Sequence, residues 1–326
     1  MNYLKHIIVN NPAIHLFNEF EHATDVQKGA LLAIMSTRQE SVEELASASK
    51  YLLKRSIKMH SNQNCIDIVG TGGDGLKTFN ISTAASFVIA SCGVKVAKHG
   101  GRSVSSISGS ADVLEELGIP FYEIEESINQ SLNKNNYVYL WAPLFNPFLK
   151  ALAPLRQELG IPTLLNIVGP LINPMRPRRQ VVGVYRADLV LKVAKVLQML
   201  GSTNAMVVHS LEGLDELSVS SPTKIAHLEN GNIFEYEITP EQVCLKNYPL
   251  KEIQGGDPKE NAALIKDIFS NKRKGACLDV VLLNAAAGLI VAGCVSNFEE
   301  GIEMAKIAIT SGATLNLLNQ IAQVNV

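Results

Sequence analysis

A chain of 326 residues with 47% hydrophobic side chains is long enough for one large or two modest domains around a sizeable core. Its 29 Lys and Arg against 31 Asp and Glu leave a net charge of -2, so no overall field draws a polyanion and nucleic acid is not an expected partner. Five scattered cysteines, Cys65, Cys92, Cys244, Cys277 and Cys294, form no C-x-x-C pair, which speaks against a disulfide framework or a zinc site and for a reducing cytoplasm.

The opening MNYLKHIIVNNPAIHLF lacks the basic head, apolar core and small-residue cleavage site of a secretory signal. Residues 16 to 60 carry helical periodicity in Ala30, Leu31, Ile34 and Met35, and again in Leu45, Ala48, Leu52 and Leu53. From Cys65 the texture changes to short β-branched runs alternating with helices: CIDIV, a helix over Ser82 to Ser91, VKVAK, then a helix over Ala111 to Leu117 closed by Gly118. Trp141 to Arg179 holds seven of the 13 prolines, so it admits only short helices and reads as an insertion returning to the helical section. Alternation resumes with QVVGVY, a helix over Asp188 to Leu200, AMVVH, and DVVLLNAAAGLIVAG. Within the last, Val280 to Val295 is too short for a bilayer and contains Asn284, so it reads as a buried helix and no membrane is expected. The expected fold class is α/β: a small all-helical domain plus a larger α/β domain with a central, mostly parallel sheet flanked by helices. The helical domain takes residues 1–62, joined by helices from about 143–175, and the α/β domain takes 63–142 and 176–326.

The stretch DIVGTGGDGLKTFNIST fits a dinucleotide fingerprint from Gly70 and misses a P-loop by the inserted Leu76. A dinucleotide fold wants an acidic residue about 20 positions on, to hold the ribose hydroxyls. No acidic residue occurs between Asp74 and Asp112, and the next strand ends in Lys98, His99 and Arg102. Leu76 rotates the lysine away from a P-loop's phosphates. What survives is a glycine loop opening a helix at Asn80 to Thr83, whose free N–H groups and dipole favour an anion. A second loop, KHGGRSVSSISGSAD, brings a lysine, an arginine and five serines beside it, and two adjoining anion loops suit a substrate with several phosphates. The plainer reading of that loop is a serine-rich turn capping a helix at Ser110. In VVHSLEGLDELS, the adjacent carboxylates Asp215 and Glu216 can serve one site only from a turn, which Gly213 permits. They suit magnesium bridging phosphates, or simply an acidic helix start.

Five ordered motifs, GTGGDGLKTFNIST, KHGGRSVSSISGSADVLEELGI, RQELGIPTLLNIVGPLINP, VVGVY and GLDELS, resemble the anthranilate phosphoribosyltransferase family along the whole chain. The resemblance implies a cytoplasmic, homodimeric enzyme that uses Mg2+ and moves a phosphoribosyl group from phosphoribosyl pyrophosphate (PRPP) to the amine of anthranilate or a related aromatic amine. Carried over by motif, it sets Gly70, Gly73, Asp74, Thr78, Asn80, Ile81, Ser82 and Thr83 around PRPP, with Lys98, His99, Gly100, Arg102, Ser103, Ser105, Ser106 and Ser110 from the second loop. It implies acceptor contacts at Gly70, Gly101 and Arg156, metal contacts at Ser82, Asp215 and Glu216, and electrostatic support of the leaving group by Lys98. Arg156 taken alone is equally a surface neighbour of Glu158.

The chain departs from the family pattern on the acceptor side. Gly101 stands where the family carries an asparagine that helps hold anthranilate, Asn146 where it usually has histidine, and Pro162 where it often has arginine, the last two in the insertion expected to line the acceptor tunnel. These departures keep open a paralogous transferase with another aromatic acceptor. A nucleoside phosphorylase is a second alternative, and a nucleic-acid-binding relative, supported only by the cluster Arg176, Arg178 and Arg179, is a third.

Overall fold

The computed structural model describes residue 17 and residues 20–59, 64–102 and 107–322. The N-terminal stretch read for a targeting signal, apart from Phe17, and Ser103, Ser105 and Ser106 lie outside the described residues.

Two helices open the described chain, α1 (Asp25–Arg38) and α2 (Val42–Arg55), each started by a capping box on Thr24 and Ser41. There follow β1 (Ile66–Gly70), α3 (Ile81–Ser91), β2 (Val96–Gly100), α4 (Ser110–Glu116), α5 (Glu125–Asn135) and β3 (Tyr137–Trp141). The proline-rich insertion forms only short helices, as its spacing predicts: α6 (Ala142–Phe145), α7 (Pro147–Ala151), α8 (Ala153–Leu159) and α9 (Leu164–Ile167). Then come β4 (Arg179–Gly183), α10 (Leu189–Leu200), β5 (Asn204–Ser210), β6 (Thr223–Glu229) and β7 (Asn232–Ile238). Four helices close the fold: α11 (Pro258–Phe269), α12 (Ala276–Ala292), α13 (Phe298–Thr310) and α14 (Ala313–Ala322).

The seven strands form one sheet in the order β3-β2-β1-β4-β5-β6-β7. The first five are parallel, and β6 and β7 add an antiparallel edge, giving the mostly parallel sheet expected. Asn230 and Gly231, both at positive φ, make the tight turn between β6 and β7. From β1 the chain winds outward in one direction to β2 and β3 and in the other to β4 and β5. The gap between β1 and β4 is therefore a topological switch point, where open α/β sheets form a crevice beyond the strands' carboxyl ends.

Each face of the sheet is covered. One core joins Ile66 and Ile68 to α3 and to α12, a helix buried almost all round. The other joins Val182 and Val207 to α10, α1, α2 and the insertion. Within that second core α1 packs against α8 and α9, and α2 against α7 and α10. Among the described residues no helix is long and apolar enough to cross a membrane.

Candidate active site

The glycine loop leaves β1 at Gly70 and returns at Thr78. Gly72 and Gly73 sit at φ 67° and 84°, a region that glycine enters without the penalty of a Cβ. The loop is pinned at both ends: Thr71 N donates to Gly183 O at 2.9 Å, and Gly255 N donates to Lys77 O at 2.9 Å. Asn80 precedes α3 without capping it through its side chain. Its amide instead ties three segments together, donating to Ser108 O at 3.2 Å and accepting from Asn261 Nδ2 at 3.0 Å.

The acidic pair reaches this loop from a turn after β5, with Gly213 at φ 104°. Asp215 Oδ2 accepts from Gly72 N at 2.6 Å, and Glu216 Oε1 accepts from Ser82 N at 3.2 Å. The turn places both carboxylates on one site, as the sequence required, and one of the free N–H groups at the start of α3 is thereby already held by Glu216. Gly70 and Gly183 are register partners on β1 and β4. A Cβ on Gly70 would overlap the Asp215 carboxylate, and one on Gly183 would overlap the Asp215 backbone carbonyl. The switch point is thus kept bare so that the acidic turn can enter it. Behind the turn, the fully buried Asn284 of α12 accepts from Leu217 N at 3.1 Å and donates to Leu217 O at 2.8 Å.

Burial sets the electrostatics. It pushes the Glu216 carboxyl up to about 7 against the opposing pull of Lys98. It holds Asp215 well above the usual carboxylate range, helped by the charges of Asp74 and Glu216. Lys98 is buried, donating from Nζ to Ile68 O at 2.6 Å and to Ser82 Oγ at 3.3 Å. Desolvation lowers its pKa, and Asp67, Glu216 and Asp215 work against that. Asp67 is buried too, and desolvation raises it to about 6 although Lys98 and the Asn173 amide favour its charge.

A cleft of about 290 Å³ lies over these groups. Gly70, Gly73, Asp74, Thr78, Asn80, Ile81, Ser82, Gly100, Gly101, Arg102, Ser110, Asp215 and Glu216 all line it. Arg156 lines it from the insertion, together with Leu149, Leu165, Asn166 and Gly169. Arg156 is half-buried, burial lowers its pKa, and its guanidinium has no hydrogen-bond or ion-pair partner among the described residues. A cation left so is poorly solvated until an anion meets it.

The structure sets several of the expected residues behind the cleft lining. Lys98, His99 and Thr83 do not line the cleft, because β2 is covered on both faces and α3 turns Thr83 inward. Thr83 Oγ1 lies beneath, donating to Ser110 Oγ at 3.1 Å. His99 points into the core, within 3.2 Å of Asn146 Nδ2, and burial lowers its pKa to about 4, so it is a neutral packing residue there. Asn146 and Pro162 stay off the cleft wall as well: the first is buried against His99, and the second is exposed and accepts from Ser36 Oγ at 2.7 Å. Ser110 is the first residue of α4 and not its cap; Gly109 holds that place, its N–H bound by Asp112 at 2.9 Å. Arg102 commits its guanidinium to Asp112 and Glu115, at 2.6 and 2.8 Å.

A glycine loop opening a helix beside a buried acidic pair, at the switch point of a parallel sheet, makes this an α/β protein with a cleft suited to a phosphate-bearing ligand. Residues 62–315 match the family model described as glycosyl transferase family, a/b domain. Similar proteins include the anthranilate phosphoribosyltransferases of Bacillus subtilis strain 168, 41% identical over 92% of this chain and 89% of that one, and of Parvibaculum lavamentivorans, 42% identical over 91% and 86%. The crystal structure of the Thermus thermophilus anthranilate phosphoribosyltransferase superposes with a TM-score of 0.91 at 34% identity, covering 99% of both chains. That of the Saccharomyces cerevisiae enzyme in complex with PRPP and Mg gives 0.88 at 27% identity, covering 98% and 96%. The chain belongs to the anthranilate phosphoribosyltransferase family.

Proposed function

We propose that the protein transfers the phosphoribosyl group of PRPP to the amine of anthranilate, releasing pyrophosphate, as a step of tryptophan biosynthesis. The observation that carries this reading is the buried pair Asp215 and Glu216, each held by one backbone N–H of the phosphate-binding segment. Breaking the bond from ribose C1 to pyrophosphate leaves positive charge on the sugar and added negative charge on the leaving group. The loop N–H groups hold the phosphates, and the Lys98 charge, set behind Ser82, supports the leaving group through the low-dielectric interior. Arg156 meets the acceptor carboxylate and aims the amine at C1, so no covalent nucleophile is required.

Magnesium fits this donor set. Among the described residues no group of three or more His, Cys, Asp or Glu side chains is placed to hold a metal. The ion would therefore draw on Asp215, Glu216 and Ser82 and complete its shell with substrate oxygens, which is how magnesium is commonly bound. Bound there, it would neutralise charge on the departing pyrophosphate.

The reading extends to a homodimer in the cytoplasm; five cysteines with no disulfide among them support the reducing location. It also divides the chain into a helical lobe of residues 1–62 with about 143–175 and a phosphoribosyl-binding lobe of 63–142 with 176–326, supported by the packing of α7, α8 and α9 on α1 and α2. Pyrophosphate release is the test. We expect release from PRPP that requires both magnesium and anthranilate. Release with another aromatic amine but not anthranilate overturns the acceptor, and phosphate-driven cleavage of a nucleoside without magnesium overturns the transfer.

A further inference from the structure

A second cavity, of about 450 Å³, opens at the opposite end of the sheet, where β4 begins. It shares no lining residue with the substrate cleft. Its rim carries Lys50 and Lys54 from the last turns of α2 and Arg176 and Arg178 from the loop entering β4. All four are exposed, and none has a carboxylate partner among the described residues. The cavity lining contains no Asp or Glu, whereas the substrate cleft contains three, Asp74, Asp215 and Glu216. Four like charges around one hollow repel each other and raise the local potential, which an anion relieves.

Helix capping explains only part of this. Cations suit the C-terminal end of α2, and Arg176 Nη2 donates to Leu53 O at 3.1 Å. Among the described residues Arg178 serves no helix end through its side chain, and the rest of the Arg176 fork has no partner. Arg176 also holds φ 49°, a region uncommon for a side chain of its size, in a turn closed by its own N–H to Asn173 O at 3.0 Å. Apolar surface from Leu171 and Met199 completes the hollow, with Met199 46% exposed. Cationic fork groups over an apolar floor match an anion joined to a flat or apolar body.

We propose that this cavity binds a small organic phosphate of about mononucleotide size, independently of the substrate cleft. The probe is adenosine monophosphate, titrated calorimetrically into the free protein and into Asp215→Asn with Glu216→Gln, whose substrate cleft is altered while this cavity is untouched. The expected result is one adenosine monophosphate bound per chain. Inorganic phosphate binds roughly tenfold or more weakly, because it cannot use the apolar floor. Lys54→Ala with Arg178→Ala, both exposed and remote from the cleft, weakens the nucleotide by roughly tenfold or more while the thermal melt matches wild type. Lys50→Glu, a single exposed change, weakens it in the same direction. No saturable heat with adenosine monophosphate, equal affinity for inorganic phosphate, or undiminished binding by Lys50→Glu overturns the proposal.

Discussion

The wall that carries Asp215 and Glu216 grows out of the sheet, whereas the wall opposite is assembled from the short helices of the insertion. On the sheet side the acidic pair and the lysine are held in place: Gly72 N on Asp215, Ser82 N on Glu216, Lys98 on Ser82. On the insertion side Arg156 is unpartnered among the described residues, and where the cleft runs on past β2 the Gly101 position has open space around it. One wall is preorganised and intolerant, and the other is adaptable. Catalysis needs fixed charges where the leaving group departs, and the choice of acceptor needs only a cation and a shape.

The comparison is broken most completely by removing the acidic pair. Asp215→Asn with Glu216→Gln should reduce pyrophosphate release by ~10³-fold or more, since a metal site supplies several kcal/mol to such a transition state. The melting temperature should hold or rise, because two buried carboxylates become neutral. Retained turnover would show that the pair is not part of the site. The next effect is steric. Gly183→Ala drives a Cβ into the Asp215 carbonyl and should cost about 3 kcal/mol in urea unfolding, while Gly101→Ala, meeting nothing within 4 Å, should stay within about 0.5 kcal/mol. Equal losses at the two glycines would erase the contrast between the close-packed acidic turn and the open position beyond β2.

Arg156→Ala tests the adaptable wall. A lost charged hydrogen bond of about 1.5–3 kcal/mol lowers kcat/KM for anthranilate by ~10–100-fold and leaves the KM for PRPP within about twofold. A matching rise in both KM values would place Arg156 on the donor.

His99 sharpens the rigid wall through pH. Its folded pKa of about 4 lies below the ordinary 6.5, so between these values the unfolded chain binds more protons and stability rises with pH. Asp67, raised to about 6 from 3.8, works in the opposite sense over nearly the same window: its stabilising contribution is full below 3.8 and lost as pH rises through 6. His99→Gln removes only the rising part. Relative to wild type, it should therefore gain about 2 kcal/mol at pH 4.5 over pH 6.5 in urea melts. A pH-independent difference would mean that His99 titrates normally. The smallest effect is expected at Gly101→Asn, where one restored hydrogen bond of about 0.5–1.5 kcal/mol raises kcat/KM for anthranilate by ~2–10-fold.

Which parts were legible in the sequence follows the same division. The glycine loop, the start of α3 and the turn bearing Asp215 and Glu216 are local patterns, and their positions in the chain were readable. The role of Gly183 was not, because it depends on β4 pairing beside β1, a contact more than a hundred residues long in sequence. Lys98 and His99 alternate along β2, and a strand buried on both faces gives no sign that both side chains stay behind the cleft lining. Asn284 did carry a signal, a single amide inside an otherwise apolar helix, but its partner Leu217 is invisible from periodicity. The β6–β7 hairpin has a local signal, Asn230-Gly231 between alternating runs, and it supplies the antiparallel edge of the mostly parallel sheet. In the insertion, proline spacing fixed helix length but not which residues face inward, so Leu149, Leu165 and Asn166 were missed and Asn146 misplaced.

If the donor wall is complete without its partner, PRPP should bind in the absence of any acceptor. Calorimetric titration of PRPP with magnesium into wild type and into Arg156→Ala reads this directly. Equal, saturable, magnesium-dependent binding by both proteins is the expected result. PRPP binding that requires anthranilate, that ignores magnesium, or that is lost with Arg156 contradicts it.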